Sequence, residues 1–167
     1  MHRRQIAILA VTVCLAAALG AHLYASNEVA RAVDRGQQAV RLEHFELVGS
    51  FPIGDPTKYN FRVRLSVENP TPIPLHFTFG TVEIGFDDIA LGSYSPSSPA
   101  EEVEPEDLAQ FDVTLSITDG TMADLRSREE VRLYLKGNLR VSARFLWVSR
   151  VRDFPEGVDL SRTMLFD

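Results

Sequence analysis

The sequence predicts an all-β fold: an antiparallel β-sandwich of the immunoglobulin-like or fibronectin-III-like kind, behind an N-terminal transmembrane helix. Three observations predict it. Residues 6–25 carry no formal charge. Between residues 42 and 160, apolar side chains recur at every second position in run after run. Turn residues rather than long helical repeats separate those runs.

The apolar stretch comes first. Met1-His2-Arg3-Arg4-Gln5 is basic, and Ile6 to Ala25 follows without a charge, interrupted only by His22. A 20-residue helix is about 30 Å long, the thickness of a bilayer's hydrocarbon core. Two readings meet this pattern. One is a cleaved signal peptide, with Ala18 and Gly20 near the cut. The other is an uncleaved anchor ending at Tyr24 in the interface. The run is long for a signal peptide and continues past its best small-residue site, which favours the anchor. Arg3, Arg4 and the amino terminus favour a cytoplasmic N-terminus, although Arg31, Arg35 and Arg41 on the far side weaken that bias. The expected location is therefore a single-pass membrane protein with an extracytoplasmic C-terminal domain, or a secreted one if the segment is cut. Cys14 is the only cysteine. Val11-Thr12-Val13 before it lacks the small residues of a lipoprotein site, so it reads as a small apolar residue of the helix.

Residues 26–41 predict a polar helical stalk. Ser26 or Asn27 can cap it, Val29, Ala30, Val33 and Ala39 are its apolar positions, and Gly36 weakens it. It reads as a spacer. Residues 42–160 form the domain, and 161–167 a C-terminal tail.

Within the domain, Leu42 to Leu47 suggests a first strand, closed by Gly49 and Pro52. Phe61 to Glu68 alternates strictly, with 61, 63, 65 and 67 apolar, so one face is buried and the other wet. Asn69-Pro70 ends it, and Pro70, Pro72 and Pro74 enforce an extended crossing segment. Leu75–Phe79 and Val82–Phe86 follow as strands, with His76 on the polar side. Asp87-Asp88 reads as a turn, not a calcium loop, since the required ligand spacing is missing. Ile89 to Tyr94 is a short strand.

Residues 95–107 read as a loop carrying an acidic run of Glu101, Glu102, Glu104, Glu106 and Asp107. Phe111 to Thr118 alternates again. Thr121 to Arg126 is a helical turn, capped by Asp119 or Thr121. Val131–Leu135 and Leu139–Phe145 alternate on either side of Gly137-Asn138, a hairpin dipeptide. Arg132, Arg140 and Arg144 then share the wet face, where pairing with cross-strand carboxylates is their common use. Without a cysteine pair, packing alone must hold the sheets. Phe61, Val63, Leu65, Val67, Phe77, Phe79, Phe111, Val113, Leu115, Ile117, Leu133, Leu135, Val141, Phe145 and Trp147 supply it.

Charge and composition exclude several functions. The chain has a net charge of −6, and residues 42–167 carry 12 basic and 21 acidic groups, a net −9. Such a domain repels nucleic acid and anionic headgroups. Cys14 alone builds no zinc site, and His2, His22, His44 and His76 form no local metal pair. No catalytic, cofactor-binding or metal-binding residue emerges, and no small-molecule substrate is expected.

The order of motifs resembles the late embryogenesis abundant type 2 family, also called the water-stress and hypersensitive-response (WHy) domain. The resemblance rests on Asn69-Pro70 after an alternating strand, on Pro72-Ile73-Pro74-Leu75, and on Gly85 through Gly92. Pro99-Ala100 before a long strand, Val131 to Val141 around Gly137, and Phe154 to Leu160 around Gly157 complete it. The family positions are thus Asn69, Pro70, Pro72, Pro74, Gly85, Gly92, Gly137 and Gly157. The resemblance implies a folded, non-enzymatic sandwich for desiccation or osmotic stress protection, making weak contacts with proteins or envelope components. The rival expectation is a cell-surface or secretion-complex module that holds one protein partner through a sheet edge or the acidic loop.

Overall fold

The computed structural model describes residues 2–51, 58–87, 89–96, 100–128 and 130–164. Pro52, Asp88, Pro99 and the tail residues 165–167 lie outside them. The chain order is α1 (His2–Gln38), β1 (Val40–Phe51), β2 (Lys58–Glu68), β3 (Leu75–Phe86), β4 (Ile89–Tyr94), β5 (Ala100–Val103), β6 (Leu108–Thr118), α2 (Asp119–Arg126), β7 (Val131–Phe145) and β8 (Val148–Met164).

The alternation of β2 and β6 is carried through into structure. Phe61, Val63, Leu65 and Val67 of β2 face inward, as do Phe111, Val113, Leu115 and Ile117 of β6, all buried. β2 sits between β1 and β6 in a three-stranded antiparallel sheet. The second sheet runs β4-β3-β7-β8, with β5 also paired to β3. The two inner faces interdigitate as one core, in which Phe79 meets Phe111 at 4.4 Å between ring centroids. The fold is therefore an all-β antiparallel sandwich with an N-terminal helix, as the period-two pattern requires.

Several elements differ from expectation, each for a local reason. Residues 26–38 are helical but not a spacer. Ala25, Val29, Ala32 and Val33, at helical spacing, are fully or almost fully buried and lie on one face. That face packs on β7 and β8. Gly36 sits where the helix comes closest to the sheet. A methyl there would lie 3.0 Å from both Leu75 Cδ1 and Val141 Cγ1, so the residue that weakens the helix also permits its docking. The helix breaks after Gln38, and Val40 already belongs to β1.

Gly137-Asn138 is not a hairpin turn. β7 runs straight through it as a 15-residue strand, paired on both sides. The chain reverses instead at Leu146-Trp147. Trp147, expected in the core, is 60% exposed there. The segment expected as a continuous loop contains β5, where Val103 is buried and Glu101 and Glu102 remain in water. Residues 161–164, expected as tail, extend β8 along β7 as far as Val131↔Met164. The helical turn is α2, with Thr118 at its N-cap and no side-chain capping bond, so neither Asp119 nor Thr121 plays that part.

Among the described residues one helix is long and apolar enough to cross a membrane. It runs from Ile8 to Gln38, and almost none of its most apolar window is buried. A membrane span and a signal sequence both meet that test.

Candidate functional site

The family-motif residues gather at three places. The first is the crossing from β2 in one sheet to β3 in the other. Asn69, Thr71, Ile73 and Leu75 are buried, whereas Pro70 and Pro72 point to water and Pro74 is half-buried. The prolines hold the segment extended, and its alternation drives Asn69 into the core end. An amide there must find partners. The Asn69 Nδ2 donates to the carbonyls of Ile73 (2.9 Å) and Val103 (2.8 Å). Its Oδ1 accepts from the Thr71 backbone N–H (3.0 Å) and Thr71 Oγ1 (2.7 Å). The Asn69 backbone N–H donates to Asp107, and its carbonyl accepts from Glu106. One side chain thus ties β2, the crossing segment and the end of β5.

The second place is the β3–β4 hairpin. Gly85 stands at a register shift, and a methyl on it would strike the Tyr134 ring and its hydroxyl. Gly92 adopts φ +136°, which other residues rarely adopt.

The third place is a pair of aligned bulges on the outer face of the larger sheet. Opposite the single residue Asn138, β3 inserts Gly80-Thr81 and β8 inserts Pro155-Glu156-Gly157. Gly137 and Gly157 make this possible. A methyl on Gly137 would lie 2.8 Å from the Thr81 carbonyl oxygen, and one on Gly157 would lie 2.7 Å from Leu139 Cβ. The bulges open a groove of about 410 Å³ walled by Thr78, Asn138, Arg140, Asp153 and Pro155. Arg140 hydrogen-bonds Asp153 through Nε and Nη2. That bond holds the Asp153 carboxyl below its ordinary range. The pairing expected for the arginine stripe is thus present for Arg140. Arg132 instead donates to Ser161 Oγ, and its backbone N–H donates to Asp87. On the other sheet Arg64 pairs with Asp112 at 2.8 and 2.9 Å. This lowers the Asp112 carboxyl despite the opposing effect of its burial.

One arrangement escaped the sequence reading. The register places His76 on β3 between Glu102 on β5 and Ser142 on β7. These types could make a nucleophile, base and orienter. The three line an open groove, but among the described residues no hydrogen bond joins them, and the His76 side chain is exposed. Short β5 was the missing signal, since without it Glu102 has no row to share.

What the bulge groove offers chemically is a mixed surface: an ion pair, an amide and a threonine hydroxyl around an apolar lining of Leu139, Phe154 and Pro155. Among the described residues no three His, Cys, Asp or Glu side chains converge as a metal site would need.

No family model and no curated protein matches the chain. Two solved structures show a distant similarity. One is a crystal structure of a protein from Archaeoglobus fulgidus, 10% identical, with TM-score 0.37, covering 75% of this chain and 98% of its own. The other is an X-ray structure of a Northeast Structural Genomics Consortium target, 9% identical, with TM-score 0.44, covering 78% and 89%. Likeness of this degree carries no functional argument.

Proposed function

We propose that this is a membrane-anchored, non-enzymatic sandwich of the late embryogenesis abundant type 2 kind. On this reading α1 stays uncleaved, the domain lies outside the cytoplasm, and it protects proteins or envelope components during water stress through weak surface contacts. The observation that supports the reading most is the role found for the motif residues. Asn69 ties the crossing segment with four side-chain hydrogen bonds. Gly137 and Gly157 permit the paired bulges. Residues quoted for a family resemblance therefore sit where the fold has few alternatives. The outer faces, with their charge pairs and exposed carboxylates, retain water and repel one another between molecules.

The test is direct. The full chain in lipid nanodiscs is dried and rehydrated with a desiccation-sensitive enzyme. Recovery of enzyme activity above that given by empty nanodiscs and by an inert anchored protein is the expected result; equal recovery refutes the reading.

A second reading, a module binding one protein partner, is favoured by the groove at the paired bulges. Crosslinking from native membranes separates the two: one stoichiometric partner, lost with Asn138→Ala or Arg140→Ala, favours the module.

A further inference from the structure

We propose that the β7–β8 turn, Leu146-Trp147, is a second membrane contact, seated in the headgroup boundary of the bilayer beside the point where α1 emerges. This rests on the reading of α1 as an uncleaved span.

The first support is the character of the turn. β3 leaves β7 at Ala143, so residues 144–149 form a short two-stranded arm beyond the sheet, covered on one side by α1. Its tip holds Leu146 and Trp147, 54% and 60% exposed, and Val151 nearby is 61% exposed. Hairpin turns with positive φ ordinarily use Gly, Asn or Asp. Here Leu146 takes φ 55°. A large apolar residue in that conformation, pointing to water, is strained and exposed at once, and such departures mark functional positions.

The second support is where the tip lies. The Trp147 Nε1–H donates to His22 Nδ1 at 3.1 Å, and Phe145 meets Tyr24 edge-on at 6.3 Å. These partners belong to the last turn of the uncharged run 6–25, whose length already matches the hydrocarbon core. The tip is therefore level with the end of the membrane-spanning segment. Tyr24 and Trp147 occupy the zone where amphipathic rings concentrate, and the indole N–H already has its polar partner.

The third support is charge. Arg144 on β7 lies opposite Ser149, and Arg150 on β8 lies opposite Ala143, one and two pairs below the closing pair Phe145↔Val148. Both line the groove that holds Leu146, with Glu102 on its far wall. Long cationic side chains flanking an apolar tip are suited to reaching lipid phosphates. The occupant that all three observations fit is a bilayer surface, not a soluble partner.

The chain provides its own probes, since Trp147 is its only tryptophan and Cys14 its only cysteine. The full chain, labelled at Cys14 with a fluorophore in detergent, is reconstituted into phosphatidylcholine–phosphatidylglycerol vesicles containing lipids brominated at defined depths. The expected result is quenching of both reporters, with Cys14 responding to deep bromines and Trp147 to bromines nearest the headgroups. Acrylamide quenching of Trp147 falls several-fold relative to free indole. Leu146→Asn, which is at ease at positive φ, should shift Trp147 toward water without changing the β-sheet circular dichroism. If Cys14 is quenched and Trp147 behaves as free indole, the docking is refuted while the anchor stands. If neither responds, the anchor reading fails and the docking with it.

Discussion

Replacing Asn69 by alanine tests the structural claim on which the sandwich's closure depends. The side chain is completely buried and makes four hydrogen bonds. Their loss is unequal. With Asn69 Oδ1 gone, the single Thr71 hydroxyl proton can turn to the Ile73 carbonyl, 3.0 Å from Oγ1, so that carbonyl is not stranded. The Thr71 N–H loses its acceptor inside the protein, and the Val103 carbonyl loses a side-chain donor. A buried polar group left unpaired costs about 1–3 kcal/mol, and the small cavity adds to it. The expected destabilisation is about 2–4 kcal/mol, a large part of the ~5–15 kcal/mol typical of a domain. Asn69→Asp should be worse at neutral pH. It keeps the acceptor for Thr71 but replaces the doubly donating Nδ2 by one oxygen facing two carbonyls, and it buries a charge. Burial raises that carboxyl's folded pKa above its unfolded value, so its neutral form is favoured in the fold. The aspartate variant should therefore recover relative to alanine as pH falls toward the unfolded value of about 4. The assay is urea unfolding of the detergent-solubilised full chain, followed by the β-sheet circular dichroism signal. An Asn69→Ala midpoint within error of wild type at unchanged slope would refute the reasoning.

Four further outcomes follow from the same structure. Gly137→Ala puts a methyl against the Thr81 carbonyl and Val82 Cα, and should cost about 1–3 kcal/mol in the same unfolding assay. Gly120→Ala, in α2 with nothing within 4 Å of the added methyl, should be neutral or stabilising by up to ~1 kcal/mol. Val33→Ala removes buried apolar surface where α1 meets the larger sheet and should destabilise by about 1–3 kcal/mol; no effect would restore the spacer reading. Asp112 and Asp153 have folded pKa values below their unfolded ones. Their contribution is complete above about pH 4 and disappears as pH falls through the folded values. In acid titrations watched by circular dichroism, Asp112→Asn should therefore lose less stability between neutral and strongly acid pH than wild type does.

The parts of the fold that were readable are those where one physical signal acts alone. β2 and β6 are central or fully faced strands, so burial imposes strict alternation, and Phe61–Val67 and Phe111–Ile117 show it. The errors occur where two signals compete. Gly137-Asn138 carries turn chemistry, but the strand pairs on both sides of it outweigh a local preference, and the glycine is used for close approach instead. β8 has only β7 beside it. With Phe154 and Val158 its buried apolar residues, and Arg150, Arg152 and Asp153 leading into turn-like Pro155 and Gly157, it shows no clean period. The docking face of α1 was obscured because half of it is alanine, which buries little area. The paired bulges were beyond reach, since they need three strands aligned on Asn138. Of their glycines, Gly137 reads in sequence as a hairpin turn, and Gly157 enters only with the family resemblance, without a reason for it.

The continuity of α1 constrains which surfaces can meet which partners. Its 37 residues give about 56 Å of helix, of which the uncharged run accounts for about 30 Å. The remaining turns are packed on the sandwich through Val29, Ala32 and Val33, so on the proposed span no flexible joint separates membrane from domain. The two grooves then lie at different heights. Along β7, Ser142 stands three residues from Phe145, where the strand ends at the turn, and Asn138 seven, or about 10 and 23 Å at strand rise. With the turn at the bilayer surface, the groove holding His76, Arg144 and Arg150 opens beside the headgroups, where it meets lipid or a partner already in the membrane. The bulge groove with Arg140 and Asp153 stands clear of them, within reach of soluble proteins. A protective role spread over weak contacts should therefore be sensitive to charge changes around Arg140 and Asp153. It should be indifferent to Arg144 and Arg150 whenever the enzyme being protected is soluble, and the drying assay with paired charge-neutral variants at each groove decides it. Equal sensitivity at both grooves would mean that the domain is not held upright by its helix.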